Sequence, residues 1–374
     1  MRRLPIALLA PLLLATACTG EPQTESLASG DGYSVLGALS EVPVGADGEQ
    51  IMVTTGDLAE ASRLSGLARP DDVADRDAVN DWIGPLLGSS GADRMHAPVM
   101  VPLGSLLSQH AIADMAGVDE ELGWSLLDVD AFVEVTAAPD NFAVVLGEGI
   151  APDEDLPEVT DGVVTAGEGE DHEADVGAVT PARPIGAPLR MAQSGTALAV
   201  SPTTSLVQAW ASGGESLSDD EALAAVAAAF DEVGVVSAVL AKGHSMDVAT
   251  VLAGRGGSQE QVEAMLAEYE ELVPTGPFAA VGLGFGVDGD EPRATVVLHL
   301  ADDAAAQAAV PVLQRQYTEG NSLLTGRPLA DTFELLDAAA DGPLAVLQLT
   351  PAQGVPVHTA FQQLLAGDLP FAHR

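Results

Sequence analysis

Metal binding would require imidazole, thiolate or carboxylate side chains at the spacing of a ligand set. No two of the seven histidines have the HxxxH or HExxH spacing that brings two imidazoles to one face of a helix. The single cysteine excludes a cysteine-based cluster and an intrachain disulfide. We therefore predict no metal site and no cofactor. The histidines are His96, His110, His172, His244, His299, His358 and His373.

Nucleophilic catalysis has one candidate segment, Gly243-His244-Ser245-Met246-Asp247. In a catalytic triad the histidine is aimed at the nucleophile from another segment, so sequence neighbours rarely reach that geometry. No Gly-x-Ser-x-Gly elbow occurs in the chain. We interpret the segment as a turn in which Asp247 caps the next helix, and we predict no catalytic residue. Lys242 is the single lysine of the chain, and we attribute the rarity of lysine to the overall composition.

Glycine alternates with apolar residues in Gly282-Leu283-Gly284-Phe285-Gly286. In a strand this alternation places the three glycines on one face, where another backbone or a ligand can approach closely. The spacing is not that of a dinucleotide-binding loop, and no helix follows it. We favour the close packing of a helix onto the sheet.

Clustered carboxylates could attract calcium, which takes about six to eight oxygen ligands. No segment has the ligand positions of an EF-hand loop, so we interpret the clusters as a solvated acidic surface. The three tryptophans are isolated from one another, and we predict that they pack in or near the core. The carboxylate clusters lie at 153–155, 168–173, 219–221 and 288–291, and the tryptophans are Trp82, Trp124 and Trp210.

The strongest functional signal lies at the N-terminus. Arg2 and Arg3 precede an apolar run from Leu4 to Leu14, which is the layout of a secretory signal peptide. The run that follows resembles the bacterial lipobox. The resemblance implies cleavage before Cys18 and acylation of its thiol, whereas the alternative is an ordinary signal peptide with an incidental cysteine. The lipobox positions are Leu14, Ala15, Thr16, Ala17 and Cys18.

An acylated Cys18 would hold the chain on the membrane without a spanning helix. Each buried methylene contributes about 0.8 kcal/mol, and two or more acyl chains give stable anchoring. No later apolar run is long enough to span a bilayer. We therefore expect a lipoprotein on the extracytoplasmic face of the cell membrane, joined to its anchor by a polar tether over 18–36.

The charge of the chain excludes one class of partner. The sequence has 56 acidic and 14 basic residues, for a net charge of −42. Nucleic-acid affinity comes from cationic contacts that release counterions, so this protein should repel phosphate backbones. It should also repel anionic lipid surfaces. We predict that nucleic acid is not a partner, and that an envelope protein or a small ligand is.

The hydrophobic content of 47% supports a large core, and the aromatic content of 4% requires that Ala, Val and Leu build it. Hairpin patterns alternating with helices predict an α+β protein with sheets covered on one face. We expect a signal peptide (1–17), the tether (18–36), a first module (37–149), an acidic linker or insertion (150–184) and a second module (185–374).

Local patterns place most of the elements. Two hairpins are predicted, one joining 130–136 to 142–147 and one joining 278–287 to 293–300. Asp57 is the predicted cap of a helix over 58–67, and Ser218 with Glu221 form a capping box for a helix ending near Phe230. A strand–turn–helix pattern at both 51–67 and 197–211 suggests an internal duplication. Further helices are predicted over 70–87, 104–116, 259–273, 302–319 and 355–366.

Several segments together resemble a group of uncharacterised actinobacterial exported lipoproteins, over roughly residues 35–350. That resemblance implies a location at the cell envelope and no catalytic assignment. The segments are Asp128-Val129-Asp130, Phe142 to Gly147, Gly213 to Asp220, Gly282 to Gly286 and Gly320 to Leu329.

We expect a non-enzymatic, membrane-anchored binding or interaction module at the cell envelope. One alternative is a solute-binding lipoprotein with a pocket between the two modules, which would be apolar with a few convergent polar groups. The other alternative is a hydrolase whose polar residues converge only in three dimensions.

Overall fold

The computed structural model describes residues 26–46, 50–89, 96–112, 114–243, 246–254 and 259–374. The predicted lipobox, His244 and Ser245 lie outside the described residues. Within them, twelve strands form one antiparallel sheet, in the order β11-β12-β10-β9-β8-β1-β2-β3-β7-β6-β5-β4. The strands are β1 (Ile51–Asp57), β2 (Ala131–Ala137), β3 (Asp140–Leu146), β4 (Glu158–Thr160), β5 (Val163–Ala166), β6 (Leu189–Ser194), β7 (Ala197–Ser201), β8 (Ser237–Lys242), β9 (Ala280–Asp288), β10 (Glu291–His299), β11 (Phe333–Asp341) and β12 (Leu344–Pro351).

Helices cover both faces of the sheet, which confirms the α+β class and corrects the expected one-sided cover. Side chains of a strand alternate between faces, so adjacent residues such as Phe132 and Val133 enter two separate apolar clusters. One face packs against α1, α6 and α7, and the other against the remaining helices. The helices are α1 (Val35–Ser40), α2 (Leu58–Leu64), α3 (Arg76–Leu86), α4 (Ser105–Ile112), α5 (Met115–Leu122), α6 (Thr204–Ser212), α7 (Glu221–Val233), α8 (Val248–Gly254), α9 (Gln259–Tyr269), α10 (Asp303–Glu319) and α11 (Thr359–Leu365).

The sheet consists of two halves with the same strand order. From the centre outward, one half runs β1-β2-β3-β7-β6 and the other runs β8-β9-β10-β12-β11, and β1 pairs with β8 between them. By strand order β8 is therefore the counterpart of β1, and β12 that of β7. The strand–turn–helix pattern at 51–67 and 197–211 predicts a duplication in which β7 would be the counterpart of β1. In the strand order of the sheet, β1 and β7 are not counterparts.

The strands of both predicted modules belong to this single sheet. β6 and β7, which lie in the predicted second module, pair onto β3 of the first. The segment 150–184 contains β4 and β5, and β5 pairs with β6, so the segment is an insertion that extends one edge of the sheet. Asp171 fixes it by accepting hydrogen bonds from the Thr204 hydroxyl and the Arg190 guanidinium.

The segment just before α1 packs against the domain and so does not belong to a free tether. Leu27 is buried, and Asp57 accepts hydrogen bonds from the Ser29 hydroxyl and the Gly30 N–H. Asp231 of α7 accepts from the N–H groups at the start of α1, at 2.6 and 3.1 Å. Residues 26–36 are therefore ordered against both halves of the sheet.

Both predicted hairpins are present, as β2–β3 and β9–β10. Asp57 caps α2 as predicted, accepting from the Glu60 N–H at 2.8 Å. The helix predicted to begin near residue 70 begins at Arg76, where Asp75 is the cap. The helix predicted over 104–116 is two helices, α4 and α5.

The predicted capping box of Ser218 and Glu221 is wrong. Asp220 caps α7 by accepting from the Ala222 and Leu223 N–H groups at 3.1 and 3.0 Å. A 3₁₀ turn precedes the helix and has its own capping box, made by Ser216 and Asp219. The sequence pattern missed this turn because both caps use the same residue types.

The glycine stripe of β9 lies under a helix, as predicted. A Cβ atom at Gly282 would lie 2.5 Å from Val226 and 2.7 Å from the ring of Phe230, both on α7. At Gly284 it would lie 2.9 Å from the same ring. Glycine therefore lets α7 approach the sheet more closely than any other residue would.

Candidate functional site

An open cavity of about 860 Å³ on the described surface is here called the groove. Its walls come from residues 63–67, Asp81, Pro85 and 96–98 in the first half, and from residues 287–292 and 355–357 in the second half. It therefore lies where α2 and α3 meet the β9–β10 turn and the segment after β12. Proline and valine side chains supply much of the wall, which gives rigid apolar surfaces.

One imidazole, that of His96, lines the groove, and it contacts the ring of His358, which is not a lining residue. The rings of His96 and His358 meet edge to face, with centroids 5.6 Å apart and an interplanar angle of 63°. Gly88, which has a φ of +75°, packs so closely on His358 that a Cβ atom there would lie 2.8 Å from the ring. Burial, and secondarily the neighbouring His96, lowers the pKa of His358. The His358 imidazole is therefore neutral near pH 7 and can both donate and accept a hydrogen bond.

Charged residues of both signs lie at the rim of the groove. Arg63 forms a two-point ion pair with Glu60, at 2.6 and 2.5 Å, and Asp81 and Asp290 add carboxylates. The Arg63–Glu60 pair lowers the pKa of Glu60. Because the guanidinium is already paired and exposed, it contributes little net positive charge to the groove.

The hydroxyl group that lines the groove is not activated as a nucleophile. The Ser65 Oγ is buried and has no hydrogen-bond partner within the described part of the chain. An activated serine requires a base within hydrogen-bond reach. Among the described residues that line the groove, Ser65 therefore lacks the neighbouring base that acyl transfer needs.

One His–Asp–Thr cluster elsewhere resembles a triad in composition and differs from it in geometry. The His172 Nε2 lies 3.0 Å from Asp140 Oδ1 and 2.9 Å from Thr203 Oγ1, and that hydroxyl donates to the same Asp140 oxygen at 2.6 Å. In a catalytic triad the aspartate and the nucleophile contact opposite ring nitrogens. Here both contact one nitrogen, so the cluster fastens the insertion to the β2–β3 turn and to α6.

The structure places the other sequence candidates in structural roles. Asp247 accepts from the Thr250 N–H at 3.0 Å, which confirms the predicted helix cap. Lys242 forms an ion pair with the α7 cap Asp220. Trp82 and Trp124 are buried as predicted, and the half-buried Trp210 donates its indole N–H to Glu41 at 2.7 Å. Among the described residues, no three histidine, cysteine, aspartate or glutamate side chains are arranged to hold a metal ion.

Two buried polar groups were not singled out by the sequence patterns. Glu134 of β2 is fully buried and accepts the N–H groups of Leu106 and Leu107, at 2.6 and 3.0 Å. His110 of α4 is also buried; its Nε2 lies 3.3 Å from the carbonyl of Ala182, and burial lowers its pKa. An isolated Glu at an outward position of a strand pattern gives no sign that a helix end will cover it.

The described helices include none with the length and apolar composition that crossing a bilayer requires. Cys18, the predicted acylation site, lies outside the described residues, so the lipobox stays a prediction from sequence.

Comparison with known proteins identifies no family. No protein-family model matches the chain, and no curated protein matches it. A solved structure titled "Structure of crystal form I of TP0453" aligns with 84% of this chain and 93% of its own, at 9% sequence identity and a TM-score of 0.30. A similarity at that level carries no argument about function, and the resemblance to the actinobacterial lipoprotein group stays a prediction.

Proposed function

We propose that this protein is a lipid-anchored extracytoplasmic binding protein that takes a small ligand in the groove. The observation that carries the proposal is the location of the groove, whose walls come from both halves of the sheet. Ligand pockets typically combine apolar walls with a few placed polar groups, at the junction of structural units. The lipobox-like segment ending at Cys18 supports the membrane location.

The walls define the class of ligand. Val287, Val355 and the proline side chains favour a rigid apolar body. The His96 imidazole, which lines the groove, offers a hydrogen-bonding site for a polar head. A strongly anionic ligand is disfavoured by the net charge of −42. We therefore expect a neutral amphipathic molecule.

The groove is tested with the neutral apolar dye Nile red. Val355→Trp should fill the groove and lower the bound-dye fluorescence by about fivefold, because the indole occupies the apolar wall. Val159→Trp is the matched control, since Val159 is exposed on β4 and far from the groove in the sheet order. Equal fluorescence from both variants would contradict a ligand site in the groove.

The anchor is tested separately by Cys18→Ser in the native host. We expect this variant to move from the membrane fraction to the soluble exported fraction, because the acyl chains supply the membrane affinity. Thr16→Ser keeps a small residue in the lipobox and should remain membrane-bound. If Cys18→Ser still sediments with membranes, the lipid anchor is wrong, whatever the result for the groove.

A further inference from the structure

The two edges of the sheet differ in length and in cover. β4 ends one side with three residues, whereas β11 ends the other with nine, from Phe333 to Asp341. Within the described residues no strand pairs with the outer edge of β11. Most of its residues are exposed. An edge strand of this length presents a row of free N–H and C=O groups, at alternate residues, to any extended chain.

The other half of the sheet contains a strand at the corresponding place. By strand order β6 is the counterpart of β11, and the outer edge of β6 is covered by β5 in antiparallel pairing, with Val164 opposite Met191. The same repeated architecture therefore accepts an added antiparallel strand in the first half, whereas in the second half no described strand occupies that position.

The charge of β11 selects against a second copy of the same chain. Glu334, Asp337 and Asp341 are exposed, and none has an ion pair with another described residue. Antiparallel pairing of two β11 strands would bring these carboxylates together, and like charges across strands are destabilising. A register shift between Leu335 and Asp337 further hinders pairing of two identical edges. A basic strand avoids the repulsion.

A second cavity lies beside the acidic edge and can receive side chains from an added strand. It has a volume of about 700 Å³ between α10 and β11, and its lining includes Tyr317, Phe333 and Leu336. The Tyr317 hydroxyl is buried and has no partner among the described residues. Leu336 projects at the register shift and is 44% exposed. The edge therefore combines backbone groups, negative charge and a place for a side chain.

We propose that β11 is the docking edge for an extended, lysine- or arginine-rich segment of a partner protein, which adds to the sheet as an antiparallel strand. In strand addition, backbone hydrogen bonds give affinity, and alternate side chains give specificity. The inference is independent of the groove, which is lined by other residues.

The test uses a nine-residue peptide of alternating lysine and threonine with the full chain, at physiological ionic strength. Fluorescence anisotropy should show binding to the wild type. An analogue that is N-methylated at alternate residues along one edge should bind at least about tenfold more weakly, since it lacks those backbone donors. An acidic analogue of alternating glutamate and threonine should not bind.

Charge reversal on β11 locates the site. The triple variant Glu334→Lys, Asp337→Lys, Asp341→Lys should weaken binding of the basic peptide at least about tenfold. The control carries the same change of charge on the exposed face of α9, as Glu260→Lys, Glu263→Lys, Glu268→Lys, and should bind as the wild type does. Hydrogen exchange should show protection of β11 amides upon binding.

The remaining outcomes overturn the proposal. Equal affinity for the N-methylated peptide would mean that charge alone holds the ligand. Equal weakening by both triple variants would mean that the net charge, rather than this edge, is recognised. Absence of binding to the wild type would leave the edge unused, and the Nile red result for the groove would stand unchanged.

Discussion

Gly282→Ala is expected to lower the free energy of unfolding by about 3 kcal/mol, near the upper end of overpacking effects. The new methyl group would lie 2.5 Å from Val226 and 2.7 Å from the Phe230 ring. Both side chains are fully buried on α7, so neither can move into solvent. The helix must therefore shift away from the sheet, which opens contacts along its length. Urea unfolding monitored by circular dichroism measures the change.

The matched control is Gly286→Ala, in the same strand and on the same face. A Cβ atom there would meet its nearest neighbour at 3.4 Å, an ordinary contact, so no displacement is required. Alanine is also favoured over glycine within regular structure by roughly 0.5–1 kcal/mol. If both alanine variants unfold at the same urea concentration, close packing of α7 against the glycine stripe is not the reason that position 282 requires glycine.

Glu134 should make the protein less stable as the pH rises from 5 to 8. Its carboxyl is fully buried, and burial raises its pKa from 4.5 to about 7, although two backbone hydrogen bonds act in the opposite sense. Between these values the folded protein keeps a proton that the unfolded chain has lost. The stabilisation is therefore fully present below about pH 4.5 and is lost as the pH rises through 7, a change of about 3 kcal/mol.

Other groups titrate in the same range with the opposite sign, so a variant must isolate the contribution of Glu134. Folding lowers the pKa values of His110, His358 and His373, which adds stability as the pH rises through their unfolded value. Glu134→Gln removes the carboxyl and retains a side-chain oxygen that can accept from α4. Between pH 5 and pH 8 the wild type should lose about 2.5 kcal/mol more than this variant does.

Glu148→Gln, which changes an exposed carboxyl, is the control and should retain the pH dependence of the wild type. Guanidinium unfolding at several pH values measures all three proteins. If the free energies of unfolding of the wild type and Glu134→Gln change equally with pH, the buried carboxyl does not gain a proton on folding.

Local patterns were sufficient where the determining contacts lie close in sequence. The β2–β3 and β9–β10 hairpins followed from alternation and short turns, because a two-residue connection leaves few ways to pair the strands. The Asp57 cap followed from an acceptor next to a helical pattern. The stripe at Gly282 predicted close approach because its missing side chains leave space on one face.

Patterns failed where two remote segments meet. Nothing in β1 or β8 alone indicates that they pair, and this single contact joins the halves into one sheet. Both strands are buried on both faces, so neither shows the alternation that would reveal its neighbours. The groove, the His96–His358 contact and the packing of α4 over Glu134 likewise depend on contacts between segments that are remote in sequence.

The sequence by itself determined the antiparallel hairpins, an acidic surface and the predicted membrane address, because each depends on residues adjacent in the chain or on total composition. Only the tertiary structure decided which strands are neighbours, which polar groups lose water, and which strands form the two edges of the described sheet. Those properties depend on the burial of apolar surface summed over distant segments, a quantity that no short window of residues contains.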